Sequence, residues 1–140
     1  MPPAISPELA AAYRATRYTV AALGLVLRIG QRHPDLDALL TRRQFDGWAF
    51  VAAANPYSGA LCEQENRARH QNLLEALATG QHVFFEGMGE PVGSDWQPEL
   101  SVLILGISRD DALALARYFE QNALVYGRVG DMAELVWAIG

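Results

Sequence analysis

The chain contains no lysine, and all eleven of its basic residues are arginine. Set against sixteen acidic residues they leave a formal charge of −5. Nucleic acid backbones are held by clustered cations, and the pair Arg42-Arg43 is too small a cluster to track one. No nucleic-acid partner is expected. Cysteine is almost missing too: Cys62 stands alone, which excludes an intrachain disulfide. His33, His70 and His82 have no ligand spacing, and neither a second cysteine nor an aspartate cluster completes a zinc or calcium set. No metal and no cofactor are expected. Long apolar runs are lacking as well. The longest, from Val20 to Leu27, is too short to span a membrane, and the N-terminus has no basic start followed by an apolar stretch, so the expected location is the cytoplasm.

What is present is a composition that folds. Of the 140 residues 51% are apolar and 19% charged, far from the polar, charged mixture that stays disordered. A chain of this length buries roughly two-thirds of its unfolded surface, enough for one domain over residues 1–140 with the first six frayed.

Pro7-Glu8 opens a helix to about Arg14, and the runs Thr16–Val20 and Leu25–Ile29 flank Gly24 as a hairpin. Pro34 starts a short helix with Leu36, Leu39 and Leu40 at helical spacing, ended by Gly47. From there the pattern is regular. Trp48–Ala53 reads as strand, Asn55–Gly59 as a Pro/Gly-forced turn, Cys62–Ala78 as a helix closed by Gly80, and Val83–Glu86 as strand. Gly87–Pro98 reads as a long loop and Ser101–Ile107 as a central apolar strand. A helix capped by Ser108, a strand Ala123–Arg128 and a terminal strand Leu135–Ile139 complete the chain. The expected class is α+β. The order strand, helix, strand, strand, helix, strand over residues 48–140 is the split βαβ arrangement of ferredoxin-like folds, extended or covered by the N-terminal helix, hairpin and short helix.

In that topology element direction alternates. The end of the first core strand, the start of its helix, the loop before the third strand and the end of the last helix therefore share one edge. That edge collects Asn55, Ser58, Glu65, Asn66, Arg69, Trp96, Glu99, Gln121 and Asn122, far apart in sequence. Asn66 and Arg69 lie in the first turns of a helix, where free N–H groups and the dipole favour anions. Glu65 and Arg69 stand at the better helical ion-pair spacing, Trp96 suits anchoring of its loop, and Asn122 suits a helix C-cap. Gly87-Met88-Gly89 has no helix directly after it, so it is not a dinucleotide fingerprint.

At these segments the chain resembles a bacterial domain-of-unknown-function family, number 3293, from about Tyr13 to Trp137. The resemblance rests on Leu27-Arg28-Ile29-Gly30, Asn55-Pro56-Tyr57-Ser58, Glu65-Asn66 with Arg69, Gly87-Met88-Gly89, Trp96 with Glu99 and Ser101, and Phe119 with Gln121-Asn122-Ala123. It implies a shared site and carries no assigned activity. Cys62 departs from the family's usual serine cap, and Ala53 from its common threonine.

Two functions are expected from these residues. One is binding of a small polar or anionic ligand, or of a protein partner, along the polar edge. The other is a small hydrolase or transferase with Glu65 or Glu99 as general base and Arg69 with Asn55 steadying negative charge. The terminal strand, as a sheet edge, offers a place for a second copy to form a homodimer.

Overall fold

Val102 to Leu105 are all buried, yet successive side chains serve two different cores. Val102 and Ile104 join Ala49 and Val51 on one side of the sheet, while Leu103 and Leu105 join Trp48 and Phe50 on the other. A strand apolar at every position is what a sheet covered on both faces requires. The structure, a computed structural model, describes residues 2–93 and 97–140.

The elements run α1 (Pro7–Arg14), β1 (Thr16–Val20), β2 (Leu25–Leu27), α2 (Pro34–Arg42), β3 (Gly47–Ala52), α3 (Glu63–Thr79), β4 (Val83–Pro91), β5 (Glu99–Leu105), α4 (Arg109–Tyr118), β6 (Ala123–Arg128) and β7 (Glu134–Trp137). The seven strands form one antiparallel sheet in the order β2-β1-β4-β5-β3-β6-β7, curled into a half-barrel. α3 contributes Leu73 and Leu77, and α4 contributes Ala112 and Ala116, to one face. α2 covers part of the other with Leu36 and Leu40. α1 buries no residue fully; Tyr13 reaches the Trp137 ring of β7 edge-on at 5.8 Å, and the Thr16 hydroxyl donates to Ala12 O at 2.7 Å. α1 thus links β1 to the far edge of the curl.

The α+β class stands, but the sheet is larger than a four-stranded core. The N-terminal hairpin does not lie over the sheet: β1 pairs with β4 and extends it to an edge at β2, while β7 forms the other edge. β4 also runs five residues past Glu86, through Gly87 to Pro91, so the first part of the expected loop is strand, and Glu99 opens β5. The glycines that suggested a loop permit close packing. A Cβ on Gly87 would stand 2.5 Å from Thr19 O and 3.0 Å from the Phe50 ring. α2 ends before Gly47, at Arg42, with Gln44 making the left-handed turn at φ 62°, and Gly47 begins β3 instead.

Because Gly87 lets β1 and the Phe50 ring approach, Gly87→Ala is expected to cost roughly 1–3 kcal/mol through overpacking. Urea denaturation measures it; an unchanged midpoint would mean that β1 does not sit against β4 as described.

Candidate functional site

Asn55 follows β3 in the left-handed conformation, φ 48° and ψ 69°, which asparagine tolerates better than most residues. Tyr57 and Ser58 share positive φ, at 51° and 62°. Such a run of unfavourable backbone persists only where surrounding contacts fix it. Here they do. Asn55 N–H donates to Asn66 Oδ1 at 2.9 Å, and Asn55 Oδ1 accepts from Asn66 Nδ2 at 2.8 Å and from Leu61 N–H at 3.0 Å. Tyr57 N–H donates to Glu120 O at 2.7 Å, and Ser58 Oγ accepts from Asn122 Nδ2 at 2.7 Å.

The remaining donor of the Asn55 amide, Nδ2, goes to Glu99 Oε2 at 2.7 Å. Glu99 sits at the first position of β5, with its carboxyl largely withdrawn from solvent. Burial pushes its pKa above the ordinary 4.5, and the Asn55 hydrogen bond opposes that rise. Tyr13 is pushed up to about 12, first by burial and then by the negative charge of Glu99, with Asn122 and Ser58 acting the other way. Tyr18, whose hydroxyl donates to Tyr13 O at 3.0 Å, is raised chiefly by burial. Both phenols stay neutral at physiological pH.

These groups border two hollows. A cavity of about 170 Å³ lies between α1 and the open part of the sheet's α2-side face, walled by Leu9, Tyr13, Tyr18, Phe50 and Val125, with Glu99 at its polar end. A wider hollow of about 810 Å³ lies between residues 54–67 and 97–100. Ser58, Gln97 and Glu99 line both.

Five of the nine residues expected at the polar edge contact one another, Asn55 with Asn66 and Glu99, and Ser58 with Asn122, while Arg69 and Gln121 both donate to Phe119 O. Arg69 donates to Ala53 O and Phe119 O, each at 2.5 Å, and lies 3.6 Å from Glu120. It stitches β3 to the end of α4, while the Asn66 amide is committed to Asn55. Its carboxylate neighbour is Glu120, not Glu65. Gln121 is 7% exposed and donates to Ala54 O and Phe119 O. Asn122 is 1% exposed and is no C-cap, because the left-handed turn after α4 falls on Glu120 at φ 57°. Its Oδ1 is buried without a hydrogen-bond partner among the described residues.

Glu65 stands apart. It is exposed, accepts from the Cys62 thiol at 3.0 Å and lines neither hollow. The Cys62 sulfur in turn accepts from Glu65 N–H, so the cysteine does cap α3. Trp96 lies outside the described residues. Sequence reasoning missed Tyr13 and Tyr18. Both were assigned to elements that extend or cover the core, and only the curl of the sheet turns them toward Glu99.

The sequence model of the family described as "Protein of unknown function (DUF3293)" matches residues 51–124. The chain belongs to this family. The match is narrower than the stretch from Tyr13 to Trp137 over which the resemblance was expected, but it holds all nine of the residues proposed for the polar edge. The two tyrosines of the cavity precede it. None of the curated proteins and none of the solved structures matches the chain.

Two outcomes check this geometry. Asn55→Ala strands the Glu99 carboxylate and the partners in Asn66 and Leu61, and is expected to cost about 3 kcal/mol in denaturant unfolding. For Glu99 the raised pKa means that the folded state holds its proton more tightly, so its contribution to stability falls as pH rises from 4.5 through the folded-state value. Melting of wild type and Glu99→Gln across pH 4–8 should show wild type losing ground steadily above pH 4.5; a constant difference would contradict the shift.

Proposed function

We propose that this domain binds a small polar ligand whose apolar part enters the cavity between α1 and the sheet and whose polar part meets Ser58 and Glu99. The observation that carries this reading is a partly buried, hydrogen-bonded carboxylate placed where two hollows meet. Desolvating a carboxylate is costly, and a folding role alone does not call for one beside an apolar cavity. The positive-φ turn Asn55–Ser58 supports it further, since backbone strain tends to concentrate at ligand sites. The β3–β6 part of the scaffold reads as a ferredoxin-like split βαβ core, supported by the order β4-β5-β3-β6 and its antiparallel directions.

A second reading, a small hydrolase or transferase, is favoured by one feature: burial raises the Glu99 pKa above the ordinary carboxylate value, the direction in which a general base is tuned. Binding is preferred because the neighbouring Ser58 has no base of its own placed to activate it; its short contact is an amide donor.

Benzyl alcohol, a neutral probe of suitable size, is expected to raise the melting temperature of wild type and to leave Ala52→Leu, whose larger side chain fills the cavity from β3, unchanged. An equal response of the two proteins would mean that the probe binds elsewhere.

A further inference from the structure

We propose that the ligand of this site is a small organic cation, an alkyl- or arylammonium whose charged nitrogen sits against Glu99 among the rings of Tyr13, Tyr18 and Phe50. This rests on the cavity reading above and narrows it to a chemical class. Three observations lead to it.

The first is charge. Among the described residues lining the cavity, Glu99 is the only charged side chain, and no arginine borders it. Arg67, on the wider hollow, is paired with Glu63 at 2.5 Å, and Arg69, which lines neither hollow, donates to backbone carbonyls beside Glu120. An anion entering the cavity would meet a carboxylate without a compensating cation. A cation would supply the counter-charge that the desolvated carboxylate lacks.

The second is the wall. Tyr13, Tyr18 and Phe50 all line the cavity, and the Tyr18 and Phe50 rings pack edge-to-face at 5.3 Å. Aromatic faces attract ammonium groups through the ring quadrupole, and sites that take organic ammonium ions commonly combine several rings. The tyrosine hydroxyls stay protonated, so they add dipoles and no competing charge.

The third is size and polarity. An apolar cavity of about 150 Å³ accepts benzene, and this one measures about 170 Å³. Asn55 occupies Oε2 of Glu99. The cation would take the carboxylate from the cavity side, where Ser58 adds a hydroxyl.

The test compares three molecules of one shape with the full chain at pH 7 by calorimetry or ligand-observed NMR: benzylamine, benzyl alcohol and benzoate. Benzylamine is expected to bind roughly tenfold more tightly than benzyl alcohol, from a charge-assisted hydrogen bond and cation–π contact, and benzoate more weakly than either. Glu99→Gln should erase the advantage of the amine while keeping the alcohol's affinity. If benzyl alcohol equals or exceeds benzylamine, the cation assignment is wrong and the cavity reading stands. If none of the three binds, both fall. The wild-type ranking decides the matter even where Glu99→Gln does not fold.

Discussion

Asn55 holds a left-handed backbone conformation at the end of a central strand, and every polar group of its side chain is used. Its Oδ1 takes the start of the α3 segment through Leu61 and Asn66, and its Nδ2 takes the Glu99 carboxylate from β5. One amide therefore ties a strand end, a helix start and a neighbouring strand together. Ser58 is then aimed at Asn122 by the same turn. Without that amide the positive-φ residues 55, 57 and 58 would keep only the contacts to Glu120 and Asn122 against their strain, and the Glu99 carboxylate would lose its donor among the described residues.

The electrostatics follow from that anchoring. A carboxylate tethered by the Asn55 hydrogen bond and walled by tyrosine and phenylalanine rings has its charged form disfavoured by burial more than it is favoured by Asn55. It is under-compensated in the free protein. Arg69, which sequence spacing would pair with Glu65, is turned elsewhere, binding the carbonyls of Ala53 and Phe119 and closing the end of the α4 face. The positive charge at this edge serves the scaffold, and the negative charge faces the cavity.

Much of this was legible in the chain. Pro and cap residues placed the starts of the four helices among the described residues, and alternating element direction was enough to bring Asn55, Ser58, Asn66, Glu99, Gln121 and Asn122 to one edge. Three features were not legible. Gly87 and Gly89 read as loop residues because their lack of side chain signals flexibility locally, whereas both sit in a strand, Gly87 for the space it leaves to Thr19 and Phe50. The fate of Arg69 depends on two carbonyls, which carry no sequence signal. The role of Tyr13 and Tyr18 depends on β1 joining β4 and on the sheet curling until α1 spans its face, a tertiary outcome that periodicity does not encode.

The most direct measurement is a carbon-13 titration of the Glu99 side-chain carboxyl. A midpoint above 4.5 in wild type, moving higher still in Asn55→Ala, is the predicted result. A midpoint at or below 4.5, or one indifferent to Asn55, would contradict a desolvated carboxylate held by that amide at the cavity's polar end.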